Sequence, residues 1–236
     1  MRIDQSDLRQ LNRNLDNLRA DLPNMNRLAL NDMAFAVLAE NKTLMRRVFD
    51  NPVPYTLHAF FVRKATLQNQ TAVVQRKDKP VGRHYLEVQQ AGGRRPQTGL
   101  ERLLSRRLKY EGIIHSVLPA RAARRNRYGN LSSGQIQQVL SAVKAQGDAQ
   151  QNTTAVSRRR AGRRRAEYFV PRSDSSLSAG VYERRGGRIR KVLAFSDSVP
   201  SYSARFPMEE HGQEVAARVA GEAFNRAFDR TMGRRV

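Results

Sequence analysis

The chain has 236 residues, a length that suits either one domain with long excursions or two small domains. Lys and Arg number 43 against 21 Asp and Glu, so the formal net charge is +22 and the sequence pI is near 11.4. A charge so far from balance indicates an anionic partner. The chain contains no Cys, which excludes disulfides, thiol catalysis and Cys-ligated zinc or iron–sulfur clusters.

Hydropathy gives no indication of a membrane segment. No apolar run approaches the roughly 20 residues needed to cross a bilayer. The first residues, from Met1 to Gln5, lack the apolar region of a signal peptide. We therefore expect no membrane partner, and a location in the cytoplasm or in a virus particle.

The positive charge is concentrated in two segments. Residues 94–127 hold ten basic and two acidic residues, and residues 158–191 hold twelve and three. Residues 1–60 are nearly neutral, while residues 207–232 carry a net charge of −2. This distribution favours a specific electrostatic surface over general solubility. Of the basic residues 36 are Arg, which suits bidentate binding of carboxylate or phosphate, although a GC-rich genome gives the same bias.

Five leucines predict an amphipathic helix near the start of the chain, because alternating steps of three and four place them on one stripe. They are Leu8, Leu11, Leu15, Leu18 and Leu22. Pro23 is expected to end or kink this helix. A second apolar periodicity from Met25 to Val48 predicts another helix, which the segment from Asp50 to Pro54 stops. The leucine stripe has two interpretations: packing within its own domain, or contact between subunits.

Short β-rich runs at residues 57–63 and 71–76 predict an antiparallel pair of strands, and residues 85–89 predict a third strand. Leucines between Leu100 and Leu108 then predict a helix with a basic outer face. A further helix is predicted to begin at Ser132 or Ser133 and to stop at Gly147.

Residues 147–166 have almost no apolar anchor, which predicts a long basic loop or linker. Strands at residues 180–184 and 189–195 flank Gly186 and Gly187, which predict a two-residue hairpin turn. The apolar residues from Val215 to Met232 predict a long C-terminal amphipathic helix. The fold class expected is α+β, with N-terminal helices and a small mixed or antiparallel sheet with hairpins. We expect residues 1–236 to form a single domain.

Motifs for catalysis or metal binding are lacking in the sequence. The four His residues lie far apart, without the spacing of paired metal ligands. The segment from Gly92 to Gly99 resembles a phosphate-binding loop but lacks the Lys that would contact phosphate. No serine elbow or pair of carboxylates in an apolar context stands out. We therefore expect no enzyme activity, no cofactor and no metal.

One run holds six arginines within nine residues, a density that would bind phosphate groups or an acidic protein surface. They are Arg158, Arg159, Arg160, Arg163, Arg164 and Arg165. We expect this run to lie on a loop that is mobile in the free protein and becomes ordered against an anionic surface on assembly. Acidic partner subunits are the first choice of that surface and packaged DNA is the second.

Four blocks, in their order and spacing over about residues 25–232, resemble the tail-completion or minor tail proteins of tailed bacteriophages, the group typified by minor tail protein Z. The blocks are Phe49–Thr56 (FDNPVPYT), Tyr85–Arg94 (YLEVQQAGGR), Tyr128–Leu131 (YGNL) before a helix, and Gly180–Arg184 (GVYER) with the basic hairpin, Val192–Phe195 (VLAF), Tyr202 and the closing helix. The chain departs from minor tail protein Z most visibly at residues 147–166, which leaves its place in the particle and the tail type open.

The resemblance implies a non-enzymatic structural protein of the virion that completes the tail or joins head to tail at the neck. It implies several copies in a ring around the tail axis, assembled in the host cytoplasm. The implied partners are copies of itself and other phage neck, portal-adaptor or tail proteins. The alternative is a cytoplasmic basic nucleic-acid-binding protein, associated with RNA or the ribosome, which the pI and the arginine run favour.

Overall fold

A computed structural model describes residues 5–77, 86–108, 113–160, 166–172 and 174–233. The fold is α+β, as the sequence predicts. Contacts between residues group the chain into two compact units, Met1–Lys79 with Arg205–Val236, and Pro80–Ala204. We describe each unit by itself, and the organisation as a single domain stays a prediction.

In the residues that the structure describes, the first unit contains three helices and a pair of strands. In chain order these are α1 (Gln5–Val48), α2 (Pro54–Leu57), β1 (Phe60–Arg63), β2 (Val73–Arg76) and α7 (Met208–Met232). Of the two outcomes expected at Pro23, an end of the helix is wrong, because α1 continues through this residue. Pro23 removes one backbone hydrogen bond, but the residues that follow it are held by packing against α7. The predicted stop is confirmed, since α1 ends at Val48.

The helices α1 and α7 pack together along a seam of small and flexible side chains. Met25 and Ala29 of α1 are buried against Ala223 and Ala227 of α7. Ion pairs flank the seam and show that the helices are antiparallel: Glu40 with Arg218 at 3.5 Å, and Asp32 with Arg226 at 3.7 Å and Arg230 at 3.1 Å.

The strand pair of the first unit is antiparallel, as predicted, with Phe60 opposite Arg76. Asn31 of α1 binds the backbone just after β1: Ala65 N–H donates to its Oδ1 at 2.8 Å, and its Nδ2 donates to the Ala65 carbonyl at 3.2 Å. Phe206 is completely buried, with its ring 5.8 Å from that of Phe49 and 6.0 Å from that of Phe60. These contacts tie the strands and the start of the C-terminal segment to α1.

The second unit is built on a four-stranded antiparallel sheet in the order β4-β7-β6-β5. Its elements are α3 (Glu87–Ala91), β3 (Gly93–Arg94), α4 (Gly99–Arg107), β4 (Ser116–Pro119), α5 (Ser133–Ala142), a 3₁₀ turn (Ala149–Gln151), α6 (Ala155–Arg160), β5 (Glu167–Phe169), β6 (Gly180–Arg185), β7 (Arg188–Ser196) and β8 (Ser201–Tyr202). Leu104 of α4 and Val139 and Leu140 of α5 form a core with sheet residues such as Val181 and Leu193. The helices therefore cover one face of the sheet.

The prediction of a strand at residues 85–89 is wrong, because α3 occupies Glu87–Ala91. Tyr85 lies outside the described residues. Gly92 and Gly93 both have positive φ and turn the chain after α3. Only β3 remains extended, and it pairs with β8 in a separate two-stranded sheet. This segment and the hairpin at residues 180–195 lie in the same unit but in two different sheets, whereas the sequence predicts one small sheet.

The helix predicted from Ser132 or Ser133 is confirmed as α5, but Gly147 does not end it. Lys144 adopts a left-handed conformation (φ 59°) directly after the C-cap. Its N–H donates to the Ser141 carbonyl, and Ala145 N–H donates to the Leu140 carbonyl, the hydrogen bonds of a Schellman motif. Beyond it, the range predicted as a loop or linker contains the 3₁₀ turn and α6.

The predicted hairpin is confirmed: Gly186 and Gly187, with φ of 55° and 78°, connect β6 to β7. At the other end of β6, the strands come so close that a Cβ on Gly180 would lie 2.2 Å from the Leu193 carbonyl oxygen. A bulge follows between Val181 and Tyr182.

Candidate subunit and anion-binding surfaces

The leucine stripe of α1 is exposed. Leu8, Leu11, Leu15 and Leu22 expose between 39% and 53% of their surface, and only Leu18 packs against the α1–α7 core. Most of the stripe therefore does not pack within its own domain, and its contact with another subunit stays a prediction.

The exposure of Leu8, Leu11 and Leu15 follows from the different lengths of the two helices. Since α7 is antiparallel and ends at Met232, which packs in the same cluster as Leu18, the earlier part of α1 has no α7 residue beside it. That part comprises 13 residues, or about 20 Å of helix. The steps of three and four continue from Leu22 to Met25 and Ala29, which α7 covers. The exposed stripe thus continues an existing helix–helix seam.

A second apolar surface lies on α7. The sequence places Phe224 and Phe228 on the apolar face of the last helix, yet they expose 40% and 39% of their surface. The seam is formed instead by Ala223 and Ala227, whose small side chains let the helices approach closely. Phe224 and Phe228 each follow one of these alanines, so they point about 100° away from the seam around the helix axis. Because the two Phe are four residues apart, they are neighbours on the helix surface and form one exposed patch.

The six-arginine run is described only in part. Arg158, Arg159 and Arg160 belong to α6, and Arg159 is exposed. The side chains of Arg158 and Arg160, and the whole of Arg163, Arg164 and Arg165, lie outside the described residues. Binding of an anionic surface by this run stays a prediction.

The end of the β6–β7 hairpin carries arginines on both strands. Arg185 lies directly opposite Arg188, and Arg190 lies opposite the buried Glu183. Arg184, on the other face, is 3.9 Å from Glu167 and lies over the Phe169 ring at 5.0 Å. Arg185, Arg188 and Arg190 are all exposed.

A cavity of about 540 Å³ lies beside the same end of β7. Its lining is Ala120, Arg121, Ala122, Arg190 and Lys191. The Ala120 N–H donates to the Val192 carbonyl at 2.9 Å and holds the segment after β4 against β7. Lys191 donates to the Ser178 hydroxyl and to the Ala179 carbonyl, and its ammonium lies over the Tyr182 ring. Arg121 and Arg190 form no ion pair with any acidic residue that the structure describes.

The buried carboxylate of Glu183, which lies opposite Arg190, is already engaged. Arg124 lies 3.5 Å from it, and the Arg124 backbone N–H donates to Gln135 Oε1 at 2.6 Å. Gln135 in turn donates to the Tyr168 hydroxyl at 3.4 Å. This network anchors the segment that follows Arg121 to the sheet. It therefore holds in place the wall of the cavity that Ala120, Arg121 and Ala122 form.

Glu101 is the most deeply buried charged residue described. Its two oxygens accept hydrogen bonds from Arg95 (both 2.7 Å), from the Thr98 N–H and hydroxyl, and from the Val117 N–H at 2.9 Å. Burial opposes its ionisation, but these bonds outweigh it and lower its pKa to about 2. The same hydrogen bond raises the pKa of Arg95 against the effect of burial. Because both oxygens are fully engaged, Glu101 acts as a structural tie between α4 and β4.

Among the described residues, no three His, Asp or Glu side chains come together as metal ligands would. No helix in the described ranges is long and apolar enough to span a bilayer. In comparisons with known proteins, no family model, no curated protein and no solved structure matches the chain.

Sequence reasoning missed two features of these surfaces. It did not find that Arg121 lies beside Arg190, since that proximity depends on the β4–β7 pairing across about 70 residues. It also did not draw the consequence of the Gly-Gly turn, although a two-residue turn alone places Arg185 opposite Arg188.

Proposed function

We propose that this protein is a structural virion protein of a tailed bacteriophage, which completes the tail or joins head to tail at the neck. It acts by protein–protein assembly as a ring of several copies. The observation that carries the proposal is the exposed leucine stripe, a helix face typical of subunit contacts. The resemblance of the four sequence blocks to tail-completion and minor tail proteins supports the role in the virion.

The occupant of the leucine stripe is a second copy of this chain. The stripe continues the seam that α7 covers at Met25 and Ala29, so it suits another helix of the same kind. The patch of Phe224 and Phe228 provides a helix face that suits the stripe, since it is apolar and exposed on α7. Two different surfaces that bind each other make a head-to-tail contact, and such contacts close into rings.

The contact is tested by light-scattering mass measurements on two double variants. Leu11→Ser with Leu15→Ser removes the stripe, and Phe224→Ser with Phe228→Ser removes the patch. We expect the unchanged protein to form one multi-copy species and each variant to be monomeric. Leu67→Ser with Leu118→Ser changes two exposed apolar side chains elsewhere and is expected to leave assembly intact.

Mixing the two variants decides the geometry of the contact. In a head-to-tail contact each variant keeps one intact surface, so an equimolar mixture forms dimers and stops there. If the stripe instead binds the stripe of a second copy, the Phe variant assembles normally by itself. Adding the Leu variant then produces no further assembly. A monomeric unchanged protein would overturn the ring.

The role in the virion is tested on the particle. Electron microscopy of the assembled phage should show several copies around the tail axis, and adjacent genes should encode portal, terminase or tail-tube proteins. A purified particle that lacks the protein would overturn the proposal.

The alternative function is a cytoplasmic basic nucleic-acid-binding protein, and the arginines of the β6–β7 hairpin are the observation that favours it. Fractionation of infected cells separates the two functions. The virion role places the protein in purified particles, whereas the alternative places it with RNA or ribosomes.

A further inference from the structure

The two strands of the β6–β7 hairpin end in an unfavourable charge pair. Arg185 and Arg188 are directly cross-strand, and like charges at such positions destabilise a hairpin. Neither residue forms an ion pair with an acidic residue that the structure describes. By contrast, Arg184 on the opposite face has Glu167 nearby. An anion bound at this end would relieve the repulsion.

The same face continues into the cavity beside β7. Side chains two residues apart on a strand share a face, so Arg190 follows Arg188 at about 7 Å along β7. Arg121 reaches the cavity from the segment after β4. The nearest buried acid, Glu183, is paired with Arg124. Four arginines thus lie along this end of the hairpin and the cavity beside it, and none forms an ion pair with an acidic residue that the structure describes; we call them the basic hairpin surface (Arg121, Arg185, Arg188 and Arg190).

We propose that the basic hairpin surface binds the phosphate backbone of nucleic acid. Guanidinium groups bind phosphate oxygens in a bidentate manner and release condensed counterions, which drives such binding. Interfaces with proteins differ, because their cores are depleted of charge and rich in aromatic and apolar anchors. Of the described residues that line the cavity, three are cations and two are alanines. The composition of this surface therefore favours nucleic acid over an acidic protein.

The binding is expected to be independent of base sequence. Tyr168, on the same face as Arg190, is buried and accepts a hydrogen bond from Gln135. Phe169 and Tyr182 stack on each other on the opposite face of the sheet. Tyr182 is buried, and cations cover both rings: Arg184 lies over Phe169 and Lys191 over Tyr182. Neither ring is free to stack a base. Phosphate contacts alone position a duplex without reading its sequence.

The test measures binding of a mixed-sequence 20-base-pair DNA duplex by fluorescence anisotropy over a range of salt concentrations. The test variant combines Arg121→Gln, Arg188→Gln and Arg190→Gln. The control variant combines Arg9→Gln, Arg13→Gln and Arg46→Gln, three exposed arginines of α1, and so removes the same charge. Circular dichroism and thermal unfolding confirm that both variants stay folded.

We expect the test variant to bind at least about tenfold more weakly in moderate salt, and its salt slope to fall by about three, near 0.9 for each lost phosphate contact. The control variant should keep nearly the full slope. Equal losses in the two variants would show attraction by net charge alone and overturn the site. Absence of DNA binding by the unchanged protein, or equally effective competition by polyglutamate, would overturn the assignment to nucleic acid. The proposal does not depend on ring assembly. The monomeric leucine-stripe variant is therefore expected to bind DNA at this surface as well.

Discussion

Arg95 and Glu101 meet through two parallel hydrogen bonds of 2.7 Å, in a pair whose carboxylate is only 1% exposed. Glu101 also accepts from Thr98, as in a capping box, and from the Val117 N–H of β4. One side chain therefore joins the N-terminus of α4, the segment before it and the sheet.

The first prediction is that Glu101→Gln strongly destabilises the second unit. The amide cannot accept all five bonds, and it leaves Arg95 without its counter-charge, so we expect a loss of about 3 kcal/mol or more in the free energy of unfolding. Urea denaturation measures it. Glu167→Gln removes the exposed partner of Arg184 and should cost less than about 1 kcal/mol. Similar losses for both variants would contradict the structural role of Glu101.

The second prediction concerns acid. The pKa of Glu101 is about 2 in the folded protein and about 4.5 ordinarily, so its ionisation stabilises the fold above pH 4.5. This contribution is lost as the pH falls from about 4.5 towards 2, because the unfolded chain takes up the proton first. The Glu101→Gln variant lacks this contribution, and the difference in urea midpoint between the two proteins should shrink steadily from pH 5 to pH 3. A constant difference would contradict the lowered pKa.

The third prediction compares two buried asparagines on α1. Asn31 makes two hydrogen bonds to the Ala65 backbone, whereas neither amide atom of Asn41 has a partner among the described residues. Asn41→Leu should therefore stabilise the protein by about 1 kcal/mol or more, since it removes unsatisfied buried polar atoms. Asn31→Leu should destabilise it by about 2 kcal/mol or more. Thermal unfolding of both variants checks the opposite signs, and a loss of stability in Asn41→Leu would refute the account of that residue.

The fourth prediction concerns the end of α5. Lys144 has φ of 59°, a conformation that glycine adopts without steric cost, so Lys144→Gly should stabilise the protein by about 0.5–1 kcal/mol. Gly147→Ala is the companion variant. A Cβ there would make ordinary contact with Leu103, 3.8 Å away, and we expect almost no effect. If Gly147→Ala were the costly change, the helix end would lie where the sequence alone suggests.

Elements with a long apolar period were predictable from the sequence. The periodicities of α1, α5 and α7 and the Gly-Gly turn of the hairpin are local signals, and each element lies close to its predicted range. Pro23 was misleading because the cost of one proline is smaller than the gain from packing Met25 and Ala29 against α7. Residues 85–89 were misleading because their apolar side chains suit a short helix turn as well as a strand.

The candidate surfaces were less predictable, because exposure depends on what lies beside each element. The leucine stripe was visible in the sequence, but its exposure depends on where α7 ends. The burial of Ala223 and the exposure of Phe224 reverse what hydrophobicity alone suggests, since close packing of the helices favours the smaller side chain.

The close approach at Gly180 has a consequence for how the hairpin finds its pairing. A two-residue shift of β6 along β7 would keep the same side chains facing the core, so the alternation of polar and apolar residues does not exclude it. Such a shift, however, would place Ser178 or Tyr182 where a Cβ lies 2.2 Å from the Leu193 carbonyl oxygen. Only the observed alignment puts glycine at that point. Gly180 therefore excludes such shifts at the open end of the hairpin, while the Gly186–Gly187 turn keeps Arg185 opposite Arg188 at the other end.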